Sequence, residues 1–263
     1  MGGLAAGIEI WEMAVIPVIL YNSESWQGIN DQTIKILENL QYNFLRSILA
    51  VGSGCPLPLL LSETGMLLME NRVLQKKVLF LHHLENLPSS ALAKEIFKAQ
   101  NLMGLPGIMT DCSEFLVHFE LSDLKSFSKE QFKRLVKQKI KIWNKMKILE
   151  IVSRKEYKKV DTTNWSCDFF QQKPYFKSLS VSDARLRFKI ESKMVPSVKM
   201  NFQSETKFKN DLWSCRDCGK IDSQIHITHC STYEEYRSDL DLTCDKDIVT
   251  YFRRVLEHRM KSV

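Results

Sequence analysis

The sequence predicts a mostly α protein: a helical bundle at 1–105, a basic helical connector at 106–180, and a small Cys/His-bearing tail at 181–263 that ends in a helix. Three observations predict it. Apolar residues recur at three- and four-residue spacing through most of the chain. Cap residues and Pro/Gly breaks stand where those stripes begin and end. Only 10 Gly and 7 Pro occur among 263 residues, too few for long irregular stretches.

Ile8, Trp11, Val15 and Ile16 fall at helical spacing until Pro17 disturbs the pattern. After a turn near Gly28, Asp31 caps a second helix whose apolar stripe is Ile34, Leu37, Leu40, Phe44, Leu45 and Ile48. Gly52-Ser53-Gly54 ends it, and Pro56 to Glu63 reads as a short helix closed by Gly65. A longer helix then carries Met69, Val73, Phe80 and Leu84 on one side, and Pro88-Ser89-Ser90 caps the next, over 91–102. Gly104-Leu105-Pro106-Gly107 is the clearest break and the first candidate boundary. Residues 125–159 predict a helix capped by Ser128, with Phe132, Leu135, Ile142 and Trp143 packing inward. The polar and aromatic stretch 161–180 reads as irregular. Asp183 caps a further helix, with Leu186 and Ile190 on its apolar face, and a last helix over about 245–260 holds Ile248, Phe252, Val255 and Leu256.

Composition bounds the class. A hydrophobic content of 44% is enough for a packed core. The formal charge of +6 makes nucleic acid a plausible partner without establishing one. Seven Cys is an odd number, and Cys55, Cys112, Cys167 and Cys244 stand alone. That is a poor disulfide framework and points to a reducing compartment, nucleus or cytoplasm. The apolar run 4–21 is interrupted by Glu9 and Glu12 and follows no basic segment, so neither a secretory signal nor a membrane span is expected. Gly2 does not complete a myristoylation motif, because Ala6 stands where Ser or Thr is needed.

The sharpest chemical signal is Cys215-Arg-Asp-Cys218, followed by Gly219, His226 and Cys230. Two Cys separated by two residues grip one metal ion from a tight turn, and His226 with Cys230 completes a tetrahedral set of three sulfurs and one nitrogen. Zn²⁺ favours that set, and four protein ligands leave no open position, so the site would be structural. His229 is the rival nitrogen; adjacency to Cys230 makes joint chelation awkward and favours His226. Trp213 stands where it would shield the knuckle. The bland alternative is two reduced surface Cys beside an unrelated His. A redox role for the C-x-x-C is disfavoured, since no βαβ pattern surrounds it.

Lys125, Lys129, Lys133, Lys137, Lys141 and Lys145 recur every four residues and would form a basic ridge along one helix. Arg185, Arg187, Lys189 and Lys193 form a second basic group, on the helix that leads towards the knuckle. Such rows contact phosphates, and neighbouring aromatics stack on unpaired bases. A charge row is more commonly just a solvated face. No adjacent Asp-Asp pair occurs, so the two-metal carboxylate signature of a polymerase is missing; a P-loop and a nucleophile elbow are missing too.

Ala14-Val-Ile-Pro-Val-Ile-Leu-Tyr-Asn-Ser-Glu-Ser-Trp26 is similar to the segment that follows the palm in non-LTR (LINE-type) retrotransposon reverse transcriptases, and further segments resemble the C-terminal part of that family. Leu37-Glu-Asn-Leu-Gln-Tyr-Asn-Phe-Leu-Arg-Ser-Ile-Leu49 resembles the helix after it, and Pro58 to Gly65 with Glu70-Asn-Arg72 resembles the next stretch. Cys215 to Cys230 and the trailing Tyr233 to Leu242 are similar to the family's C-terminal knuckle. Both ends are covered well and the middle weakly. Asn22 departs from the family's usual Gly. The resemblance implies a thumb-like helical region at 1–105, a zinc knuckle that binds RNA or single-stranded DNA, and no polymerase activity, since fingers and palm are not matched. Too little chain follows Cys230 to carry over an endonuclease. No small-molecule substrate is expected. The competing class is a helical structural or protein-interaction remnant that binds no nucleic acid.

Overall fold

In a computed structural model the protein is described over residues 3–26, 31–121, 123–154, 171–192, 194–195, 214–215 and 217–261. Among these residues every regular element is helical, and the only β pairing is one antiparallel bridge between Ser214 and Ile221. The mostly α expectation is met.

The chain opens on a continuous helical run: α1 (Leu4–Ile10), a π-helical turn (Trp11–Val15) and α2 (Ile16–Ile19). Pro17 has no N–H for the usual helical bond, and the wider turn just ahead of it absorbs the mismatch instead of ending the helix. Trp11 stacks on Phe44 of α3 (Asp31–Leu49) at 4.1 Å between ring centroids. That helix ends earlier than the glycines at 52 and 54 suggest: Ala50, at φ +52, already takes the left-handed conformation. α4 (Leu57–Thr64) ends as expected on Gly65, at φ +70.

α5 (Met69–Asn86) is the spine, touching α3, α6 (Leu92–Leu102), α7 (Ile108–His118) and α8 (Lys129–Ser153). Its first half buries Met69 and Val73 in one core, with Leu45, Leu60, Leu61, Ile148 and Phe176. Its second half buries Val78, Leu81 and Leu84 in another, with Phe97, Phe115, Phe132 and Trp143. α8 serves the same two cores in the opposite order along its length. At the changeover the buried Asn144 Oδ1 accepts from Leu68 N–H and Asn71 Nδ2, both at 2.8 Å. Ser128 begins α8 with a capping box, as expected of the cap; Gln131 supplies the reciprocal bond.

Three expectations are corrected here. The Gly104–Gly107 break is a turn within one core, because Phe97 before it and Ile108, Cys112 and Phe115 after it pack together; α8 is a wall of the bundle, not a separate connector. Within the stretch 161–180 read as irregular, residues 175–178 form α9 (Tyr175–Ser178), whose Tyr175 and Phe176 are buried; Trp165, Phe169 and Phe170 lie outside the described residues. The cap of α10 (Val181–Glu191) is Ser180, which accepts from Asp183 N–H; Asp183 sits in the first turn.

α10 joins the body to the tail. Ala184 and Phe188 enter the first core. Ile190 enters a third, with Ile227, Tyr233, Tyr251, Phe252 and Val255 from α11 (Gln224–His229), the turn after it, and α12 (Asp245–Lys261). No helix among the described residues is long and apolar enough to cross a membrane.

Candidate metal centre and basic faces

The site is assembled from three short pieces. Cys215 N–H donates to Lys220 O at 2.6 Å, and Gly219 N–H donates back to Cys215 O at 2.8 Å. These bonds and the Ser214–Ile221 bridge close the tight turn that carries Cys215 and Cys218. Gly219 completes it at φ +72, a conformation that strains other residues. Ser223 then caps α11 by accepting His226 N–H at 3.1 Å, which places the imidazole on the first turn of that helix. Cys230 follows directly at its C-terminus.

The result is a cluster of Cys215, Cys218, His226 and Cys230 whose ligand atoms all lie within 4.8 Å of one another. Cys218 Sγ is 3.2 Å from His226 Nε2. These four side chains can hold a metal ion. His229 is excluded from the set: its Nδ1 faces Ile225 O at 3.0 Å and Thr228 Oγ1 at 2.9 Å on the exposed side of α11.

The electrostatics favour ligation. Burial lowers the His226 pKa against the opposing pull of the Asp222 charge, aided by the Arg259 and Lys220 charges, which favours the neutral ring that a metal ligand needs. At Cys230 burial opposes ionisation, yet hydrogen bonds from the Thr232 amide and hydroxyl and from the Cys218 and Cys215 thiols outweigh it, and its pKa falls. The Lys220 amide acts the same way at Cys218, but burial and the two neighbouring sulfurs win, and its pKa rises.

A polar frame behind the cluster went unseen in the sequence. Arg259 near the end of α12 makes a paired bridge to the buried Asp222, at 2.7 and 3.0 Å, and donates through Nε to Tyr233 Oη at 3.0 Å. Tyr233 Oη in turn donates to Asp217 and stands 3.9 Å from Cys215 Sγ. Arg237 donates to Cys230 O at 3.0 Å, and Tyr251 to Ile227 O at 2.5 Å. Asp222 and Arg259 are 37 positions apart, so no local spacing could have paired them. Trp213, the expected shield, lies outside the described residues.

The two basic groups fare differently. On α8, Lys133, Lys137 and Lys141 are exposed and Lys145 is half-buried. Lys125 lies before the helix and is 3.7 Å from Glu85. On α10, Arg187 is committed to the fold: it bridges Asp245 and Glu191, each at 2.7 Å, and covers the Tyr175 ring. Arg185 donates to Ile48 O at 2.9 Å. Lys189 is half-buried, and Lys193 lies outside the described residues. The α10 group does not form one open basic face, because its arginines tie the tail and α3 to the body.

The chain matches no protein-family model, no curated protein and no solved structure.

Proposed function

We propose that the tail holds one structural Zn²⁺ on Cys215, Cys218, His226 and Cys230. We further propose that the chain is a non-catalytic, nucleic-acid-binding piece of a LINE-type retrotransposon reverse transcriptase, acting in the nucleus or cytoplasm. One observation carries the reading: three thiols and an imidazole converge from a knuckle turn and a helix on one point. Zinc–sulfur bonds of about 2.3 Å give a tetrahedron with edges of roughly 3.8 Å. Ligand atoms already within 4.8 Å of one another reach that arrangement through small side-chain rotations. The donor set is soft and closed, which suits zinc in a structural role and leaves no position for a substrate.

The nucleic-acid part is supported by the exposed Lys133, Lys137 and Lys141 on α8. The kinship is supported by the ordered motifs and by Asn22. Its φ of +55 is a conformation open to Gly and tolerated by Asn, at the position where that family carries Gly. The competing interaction-module reading draws on the solvent face of the first helical run, where Ile10, Met13, Val18 and Tyr21 are exposed.

Two measurements test the proposal. Elemental analysis of protein purified from zinc-replete medium should find one zinc per chain; stoichiometric absence of metal rejects the site. Titration with a labelled single-stranded oligonucleotide at low and moderate salt should show weak, salt-sensitive binding. No binding at low salt leaves the interaction-module reading ahead.

A further inference from the structure

We propose that the cleft between the N-terminal helical run and α8 seats the phosphate backbone of a single-stranded nucleic acid. This inference rests on the nucleic-acid reading above and gives it a location. The cleft encloses about 640 Å³, within the roughly 300–1,000 Å³ typical of ligand sites.

Its charge favours an anion. Lys137 and Lys141 project from α8 on one side and Lys177 stands at the end of α9 on the other; all three are exposed. Among the described residues none of them has a carboxylate partner. Of the two acids lining the cleft, Glu12 is already matched by both terminal nitrogens of Arg72. Three cations therefore face the single unmatched carboxylate of Glu9.

Arg72 also lines the cleft, but its side chain is only 10% exposed and both terminal nitrogens donate to Glu12, so it braces the wall and leaves the three lysines to meet an anion.

The far wall of the cleft depends on a glycine. A Cβ on Gly65 would come within 2.5 Å of Gln172 N, so only the missing side chain lets 171–172 pass against the turn between α4 and α5. Lys173 N–H then donates to Glu63 O at 3.1 Å and fixes that segment. Gln171 and Gln172 thereby offer side-chain amides beside the lysines.

The layout suits a strand more than a lone phosphate. Lys137 and Lys141 are offset by about 6 Å along the helix axis, so they address neighbouring anions in a row, with Lys177 opposite.

Fluorescence anisotropy of the full chain with a labelled oligouridylate, titrated with salt, tests this. The triple variant K137Q/K141Q/K177Q should flatten the log–log salt slope by about 2, from three contacts at about 0.7 each. K98Q/R134Q, which alters exposed positions on α6 and α8 outside the cleft, should leave the slope unchanged. E9Q removes the unmatched acid and should tighten binding several-fold, a gain that a misfolded variant does not show. A triple variant with the parental slope, or a control pair that flattens it equally, overturns the cleft while the nucleic-acid reading stands. Competition by uridine monophosphate or inorganic phosphate as effective as that by unlabelled oligouridylate overturns the strand assignment. An unaltered chain that binds no oligouridylate at low salt overturns both readings.

Discussion

The body built on α5 and α8 and the tail built around the cysteine cluster are held together by different means. The body buries Leu, Val and Phe side chains in two adjoining cores that share both long helices. Its lone cysteines are inert parts of that packing: burial pushes the Cys55 and Cys112 thiols up to about 12. The tail's smaller core draws on Tyr233, Tyr251, Cys215 and Cys230, and a frame of Arg, Asp and Tyr hydrogen bonds closes around it. A short segment with little apolar surface needs a staple, and the Cys/His cluster sits where one is required.

Stripping metal from the proposed zinc site is the strongest way to break the comparison. Chelation should unfold the tail and leave the helices of the body intact, because zinc binding would supply local folding free energy. Far-UV circular dichroism should then lose only part of its helical signal. Near-complete loss would show one cooperative unit. Cys230→Ser should act like chelation, whereas Cys244→Ser, at an exposed position outside the cluster, should not.

The converse is a body mutation. Phe132 is fully buried and stacks on His82 at 4.3 Å. Phe132→Ala should cost about 3–5 kcal/mol of body stability and leave zinc affinity unchanged. A parallel loss of zinc would mean that the two regions do not fold independently.

Glu38 sharpens the comparison through pH. Its Oε1 accepts Met69 N–H at 2.6 Å at the start of α5, while Oε2 has no partner. Burial raises its pKa from 4.5 to about 7, against the pull of the Glu70 and Met69 amides. The folded state thus holds the proton more tightly than the unfolded chain. The associated stability is fully present below pH 4.5 and is lost as pH rises through 7. Body stability should fall by on the order of 2–3 kcal/mol over that window. Denaturant titrations at several pH values should show Glu38→Gln removing the decline, with the tail transition unaffected.

Arg259→Gln is the smallest effect. It removes the paired bridge to the buried Asp222, costing the tail about 1.5–3 kcal/mol, and the hydrogen bond to Tyr233 beside Cys215. Chelator competition should report zinc affinity reduced about 10–100-fold. Unchanged affinity would mean that the frame supports only the fold.

The sequence by itself determined most of the helices, α9 excepted, since periodicity, caps and breaks act within a few residues. It also singled out the members of the Cys/His cluster, because Cys215, Cys218, His226 and Cys230 fall within 16 positions of one another. Local spacing favoured His226 over His229, and the direction of each ring then decided the matter. Only tertiary structure decided how the helices combine. Nothing local says that the residues flanking Gly104 share one core, or that Tyr175 and Phe176 dock beneath α4, because those contacts join positions far apart in the chain. The same holds for charge. A lysine row reads identically in sequence whether it is solvated or lines a cleft, and Arg187 looked like a phosphate ligand until Asp245, 58 residues away, folded against it.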